Sequence, residues 1–211
     1  MNIAIIGTGN VGGALAKGWA RAGHKIALGV RDTQNFKGKD LLNTANISAY
    51  TIADAVKQSE AILLATPPQA IADVVKAMGD VNGKIIIDAI NSVRAKPEGY
   101  NNTFEALMDL AKGAELAKCF NTTGFENMAN PVYHQDLPIP HEAGIDMFVA
   151  GDSQKAKDTA IQLAKDAGFA ECYDFGGSDK AALLEQLVLI WINLALGQKM
   201  GRNIAFKILK R

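Results

Sequence analysis

Met1-Asn2-Ile3-Ala4-Ile5-Ile6-Gly7-Thr8-Gly9-Asn10-Val11-Gly12 opens the chain and governs the reading of everything after it. Residues 3–6 are a short apolar run, the pattern of a parallel strand covered on both faces. Gly7, Gly9 and Gly12 follow in the spacing G-x-G-x-x-G, and each has a separate task. Gly7 lets the chain turn sharply off the strand, Gly9 lets a pyrophosphate approach the backbone, and Gly12 lets helix and strand pack closely. The N–H groups that begin the next helix then face the phosphate charge. Such glycines alone would also fit a tight turn in another α/β protein, so the context carries the reading. A strand precedes them, and Leu15, Ala16, Trp19 and Ala20 mark one face of a helix ending at Gly23. The apolar run 25–30 then completes a βαβ unit.

Outward from this unit the alternation continues. Thr51-Ile52-Ala53-Asp54 resembles a helix start, with Asp54 satisfying early N–H groups. Strands are expected at 47–50, 60–65, 84–88 and 116–120, with helical faces at Ile71, Val74, Val75, Met78 and at Phe104, Leu107, Met108, Ala111. Thr66-Pro67-Pro68 sits where proline suits a first helical turn. Strands alternating with helices imply a mostly parallel, doubly wound α/β sheet of Rossmann type, with its ligand across the carboxyl ends of the strands. Residues 121–145 break the rhythm and hold Pro131, Pro138 and Pro140, so they read as a wall or lid of the site. After a strand at 146–150, a helix from Ser153 to Gly168 and a strand at 170–175, one helix is expected from Ser178 to about Met200. It is apolar on almost every side and must be buried, partly against a second copy of the chain; a homodimer is expected. The expected division is a dinucleotide-binding domain at 1–175 and a helical extension at 176–211 that packs on it or on a dimer partner.

The chain of 211 residues balances 22 basic against 22 acidic side chains. Neutrality gives no electrostatic reason to expect nucleic acid or an anionic membrane as partner. A strand starting at residue 2 leaves no room for a signal peptide, and the apolar run 187–196 is interrupted by Asn193 and short for a bilayer. A cytoplasmic protein without membrane contact is expected, with Cys119 and Cys172 as buried reduced thiols. His134 and His141, with Asp136 and Glu142 near them, match no compact zinc spacing, so no metal site is expected.

The second strand ends Leu28-Gly29-Val30-Arg31-Asp32. An acidic residue near this point takes the ribose 2′-hydroxyl of NAD, whereas an arginine accommodates the 2′-phosphate of NADP. Arg31 falls in the place of the phosphate clamp, with Gly29 leaving space beside it, and NADP(H) is the expected cofactor. Asp32 complicates this, because an Arg–Asp pair could be a surface ion pair and nothing more.

With these segments in view, the chain resembles the coenzyme F420-dependent NADP oxidoreductases and the related cytosolic reductase domains of the STEAP metalloreductases, over nearly its whole length. Gly7-Thr8-Gly9-Asn10-Val11-Gly12, Gly29-Val30-Arg31 and Ala65-Thr66-Pro67-Pro68 line up with the family's nucleotide-contacting segments. Phe120-Asn121-Thr122 matches the motif after strand six in the STEAP-like branch, and residues 201–207 have the look of bacterial members. The resemblance implies NADP(H) oxidoreduction, with the deazaflavin F420 or a flavin (FMN or FAD) as the small-molecule hydride partner. Archaeal F420 enzymes carry histidine where Asn121 stands, isoleucine-proline where Thr123-Gly124 stands and serine where Val30 stands, which keeps the flavins in play.

Hydride transfer between two stacked rings needs orientation and dryness, and the cofactors carry the chemistry. Thr66, Pro67, Asn121 and Thr122 are therefore expected to hold the nicotinamide ribose and ring, Asn121 and Thr122 as positioning residues only. Two other readings stay open. A dehydrogenase of a small hydroxyacid or imine would need an acid–base side chain, for which Lys180 resembles the lysine of 3-hydroxyacid dehydrogenases. A non-catalytic NADP(H) sensor would share the same phosphate loop.

Overall fold

The structure is a computed structural model that describes residues 1–132 and 144–210. β1 (Asn2–Ile6), α1 (Asn10–Arg21) and β2 (Lys25–Val30) build the opening unit. β3 (Ile47–Thr51), α2 (Ile52–Gln58), β4 (Ala61–Leu64), α3 (Ile71–Met78), β5 (Ile85–Asp88), α4 (Thr103–Leu110) and β6 (Glu115–Lys118) follow. All pairings are parallel and the sheet order is β3-β2-β1-β4-β5-β6. The order reverses between β1 and β4, and a crevice opens there at the carboxyl ends of the strands. The expected doubly wound sheet is thus present. Local signals hold within it: Thr51 Oγ1 accepts the Asp54 N–H at 3.2 Å and donates to the Asp54 carboxylate at 2.6 Å, closing the first turn of α2 from both sides.

Apolar residues on both faces explain why β1 and β4 are central. Ile3, Ile5 and Leu63 pack against Leu15 and Trp19 of α1 and Leu163 of a later helix. Ile6, Ile62 and Leu64 pack on the other side with Val56, Val75 and Leu107. Each such side chain contributes about 1.5–3 kcal/mol on burial. Trp19, wholly enclosed, satisfies its indole by donating to Leu163 O at 2.8 Å.

Strand six is shorter than the sequence implies. Phe120 adopts φ +59°, which no strand can continue through. A non-glycine residue there costs about 1–2 kcal/mol. Its ring is buried edge-on against Trp19 at 5.4 Å and tilted against Phe169 at 6.2 Å, so aromatic burial offsets the backbone cost. Beyond it, β7 (Asp146–Val149) and β8 (Glu171–Asp174) form a separate two-stranded parallel sheet, with α6 (Gln154–Ala167) between them. Lys118 and Ala150 exchange backbone hydrogen bonds of 2.8 and 3.0 Å, which join the small sheet to the β6 edge. Cys119 and Cys172, distant in sequence, are buried side by side by this junction, and burial first and the neighbouring thiol second push Cys119 well above the usual thiol range.

Residues 121–145 are not one open loop. α5 (Phe125–Ala129) forms within them and packs on α1. The expected lid, with His134, Asp136, Pro138, Pro140, His141 and Glu142, otherwise falls on residues 133–143 and lies outside the described residues.

The terminal helix also departs from a single regular rod. A 3-10 turn (Ser178–Lys180) leads into α7 (Ala181–Ile192), which widens into a π-helical turn (Asn193–Gly197). Ala181, Leu184, Glu185, Val188 and Trp191 face the domain, while Leu183 and Ile190 are 49% and 54% exposed. Among the described residues, one face of this apolar helix is covered and the other is not. By length and mean hydropathy alone, Ser178–Gly197 would suffice to cross a bilayer. The tail returns over the domain: the Trp191 indole and the Asn127 amide donate to Ile204 O at 2.6 and 2.7 Å, and the Ile208 N–H donates to Asp146 at 2.7 Å. The C-terminal segment is thereby hydrogen-bonded to α5 through Asn127 and to β7 through Asp146.

Candidate functional site

The three opening glycines separate by what their missing side chains would meet. At Gly7 (φ +107°) a Cβ would collide with Ala65 O, and at Gly12 it would collide with Gly7 O. Both are demanded by the protein's own backbone. Gly9 is different, for nothing lies within 4 Å of where its Cβ would be. Gly9 caps α1, and neither a side-chain cap nor an acidic first-turn residue meets the helix's leading N–H groups. Those donors and the open space beside Gly9 form a cradle that a Cβ would fill and a diphosphate fits.

The bend opens on a cleft of about 1030 Å³ lined by Gly7, Thr8, Gly9, Arg31, Ala65, Thr66 and Pro67 among others. Three sequence segments thus meet at one site. Asn10 lines an adjoining depression of about 490 Å³ with Thr8 and Gly9, and Gly12 is buried beneath the bend with Val11 half-buried next to it. Asp32 does not pair with Arg31. Its Oδ1 accepts the N–H groups of Gln34 at 2.8 Å and Asn35 at 3.2 Å, capping the turn after β2, and Arg31 has no ion-pair partner among the described residues. Gly29 lines the cleft beside Arg31 and serves packing as well, because its missing Cβ would stand 3.1 Å from Ile6 and 3.4 Å from Ala55.

Sequence reasoning missed the far wall of the cleft. Asn35, Phe36 and Lys37 line it from the turn after β2. The Thr8 hydroxyl donates to Lys37 O, and a Cβ on Gly38 would come within 2.6 Å of Thr8 O, so the turn lies directly on the phosphate bend. Lys37 thereby adds a second cation to the cleft that holds Arg31. Cations after the second strand were a signal, but spacing alone does not fold them back onto Thr8.

At the other end of the cleft, Thr66 follows β4 with its Oγ1 buried and, among the described residues, unpartnered. Asn121, 1% exposed, likewise has a buried Oδ1 without a partner. These two orphaned oxygens follow β4 and β6, with β5 between them, and are what a bound group with complementary donors and acceptors would satisfy. Asn121 and Thr122 do not line the cleft with the other segments. The Thr122 hydroxyl lies 3.6 Å from Met147 Sδ in the β7 layer, so its partner comes from within the fold.

Below these residues lies a charged network that the sequence did not disclose. Lys118 Nζ, 0% exposed, donates to Asp88 at 2.9 Å, to Glu185 at 2.8 Å and to Ile90 O. Asp88 also accepts from the Thr103 hydroxyl at 2.7 Å, and Glu185 accepts the Ser92 N–H at 3.0 Å. One buried cation so ties α7 to the carboxyl ends of β5 and β6, and every charge has a partner, as burial requires. Among the described residues, two acid–base candidates lie outside the cleft lining: His24 pairs with Asp166 at 2.9 Å, and Lys180 is half-exposed and paired with Asp179.

Comparison with known proteins agrees with this geometry. The family model described as NADP oxidoreductase, coenzyme F420-dependent, matches residues 2–92. A protein of Methanothermobacter marburgensis named F420-dependent NADP reductase is 26% identical, over 99% of this chain and 98% of the relative. The crystal structure of a candidate F420-dependent NADP reductase from Arthrobacter sp. FB24 superposes with a TM-score of 0.84 at 25% identity, covering 100% of both chains. A reductive aminase from Aspergillus terreus in complex with NADPH and ethyl-5-oxohexanoate shares the fold, with a TM-score of 0.68 at 19% identity over 94% of this chain and 63% of that one.

Proposed function

We infer that this chain, a relative of the coenzyme F420-dependent NADP oxidoreductases, is an NADP(H)-dependent oxidoreductase that moves a hydride between the nicotinamide and a deazaflavin or flavin. The observation that carries the reading is the convergence of the open Gly9 cradle, Arg31 (without an ion-pair partner among the described residues) and the Ala65-Thr66-Pro67 segment on one cleft. Bound there, the nicotinamide supplies the hydride chemistry. The chain's own residues do the rest by binding and orientation. The bend 7–12 holds the diphosphate, Arg31 and Lys37 grip the 2′-phosphate, and Thr66, Pro67 and Asn121 position the ribose and ring. Transfer between two carriers asks the protein for no proton, which suits the Ala65-Thr66-Pro67 segment that lines the cleft after β4. Thr122 supports Asn121 from the β7 layer.

The test is an acceptor screen. Purified protein with NADPH should oxidise it when F420, FMN or FAD is supplied and not otherwise. Tight NADPH binding with no turnover against any of them would replace the reductase with a nucleotide sensor. Turnover with an imine or hydroxyacid partner, lost in Lys180→Ala, would replace it with a dehydrogenase.

The reading extends to assembly and place. A homodimer would cover the outer face of α7 and the turn beyond it, where Leu183 and Ile190, then Leu196 and Met200, stand exposed. Glu185 argues against insertion of this helix in lipid, since it is tied to Lys118 in the core of the domain. A cytoplasmic dimer free of the membrane is the corresponding expectation.

A further inference from the structure

We propose that Asn91 is a positioning residue that sets the Asn121 amide so that its Oδ1 receives the carboxamide N–H of the nicotinamide, making the site selective for a carboxamide. The proposal rests on the NADP(H) reading above and adds to it a residue that neither the glycine motif nor any family segment singles out.

Asn91 and Asn121 follow β5 and β6, which are neighbours in the sheet. Asn91 Nδ2 donates to the backbone carbonyl of Asn121 at 2.8 Å, and Asn121 Nδ2 donates to Asn91 Oδ1 at 3.0 Å. The two amide orientations follow from one fixed group. A backbone carbonyl can only accept, so the Asn91 atom facing it is the nitrogen. That turns Asn91 Oδ1 toward Asn121, where only Nδ2 can donate to it. Asn121 Oδ1 is then left as an acceptor with no partner, in a residue 1% exposed.

Both amides are held from the core. Ile90, next to Asn91, is fixed by its N–H donating to Asp88 at 2.9 Å and its carbonyl accepting from Lys118. Asn121 is aimed by the left-handed backbone of Phe120, itself locked against Trp19. An acceptor oriented this firmly and left unsatisfied discriminates between ligands by whether they bring a donor. Arg31 marks the adenosine end of the cleft and Thr66, after β4, its other end; Asn91 and Asn121 follow the next two strands outward, past the residues that line the cleft, so a nicotinamide seated beyond Thr66 comes to the Asn121 acceptor. The carboxamide NH2 of the nicotinamide is the donor.

Calorimetry on the purified protein tests this without any acceptor. Three probes are titrated: NADP+, its 3-acetylpyridine analogue, in which a methyl replaces the amide NH2, and 2′,5′-ADP, which lacks the nicotinamide half. Wild type should bind NADP+ about tenfold or more tightly than the analogue. Asn91→Leu should bring the two within about threefold by weakening NADP+, with 2′,5′-ADP affinity unchanged. Equal binding of NADP+ and analogue by wild type, or the wild-type ratio persisting in Asn91→Leu, overturns the proposal while leaving the nucleotide reading intact. Should Asn91→Leu misfold, seen as lost 2′,5′-ADP binding, the smaller Asn91→Ser and the wild-type ratio carry the decision. Failure of wild type to bind 2′,5′-ADP overturns the nucleotide reading and this inference with it.

Discussion

Arg31 stands exposed at the end of β2 with no carboxylate partner among the described residues, because Asp32 is spent on the turn that follows. A guanidinium in that state is free to bind phosphate bidentately, and such charge-assisted bonds are worth about 1.5–3 kcal/mol. Arg31→Ala should therefore weaken NADPH by about tenfold or more and leave NADH nearly untouched; equal losses for both would remove the assignment. Lys118 gives the opposite kind of residue-level test. Lys118→Met strands Asp88 and Glu185 as buried, uncompensated charges, and breaking such a pair costs about 3–5 kcal/mol. Urea denaturation should show that loss, and an unchanged midpoint would mean water reaches the carboxylates. The arginine could be read from its place after the second strand. The lysine could not: Leu116-Ala117-Lys118-Cys119-Phe120 looks like a strand with one stray charge until β5 and α7 are brought against it.

At the scale of elements, the glycines divide into those the fold needs and one the ligand needs. Gly12→Ala places a methyl inside the Gly7 carbonyl and should cost several kcal/mol of folding stability, since backbone cannot yield as a side chain does. Gly9→Ala meets nothing, so its stability should stay within about 1 kcal/mol of wild type while NADPH affinity falls sharply. The reverse pattern in paired melts and titrations would refute the cradle. The start of the terminal helix carries a pH test. The Ser178 backbone N–H first and its hydroxyl second hold the Asp152 carboxyl below the usual 3.8. A carboxylate depressed on folding contributes stability that is complete above the unfolded value and is lost as pH falls through the folded one. Protection factors for hydrogen exchange in α7, corrected for the intrinsic rate at each pH, should therefore fall below about pH 4, and Asp152→Asn should flatten that dependence. Helix and strand positions were legible here from period and caps, as at Thr51 and Ser153. The early end of β6 was not, because Phe120 leaves the strand for a contact with Trp19 that lies a hundred residues back in sequence.

For the whole molecule, the two faces of α7 set the expected assembly. The inner stripe repeats every three to four residues against the domain, and Leu183 and Ile190, two turns apart, stand on the outside. Ile190→Glu should leave the fold and nucleotide binding in place and shift sedimentation from dimer to monomer. A wild-type monomer would sink the dimer, and wild type partitioning into neutral lipid vesicles would give that face to a bilayer instead.

What the sequence by itself determined is whatever depends on neighbours along the chain: the βαβ opening, the glycine-lined bend, the alternation that implies a doubly wound sheet, and the cation after β2. Period, turn chemistry and capping act over a few residues, so they are written locally. Only the tertiary structure decided that Lys37 folds over Thr8, that Lys118 bridges β5 to α7, and that Asn91 meets Asn121. Each joins groups from different strands, and which strand ends become neighbours follows from sheet order, which side-chain spacing does not encode.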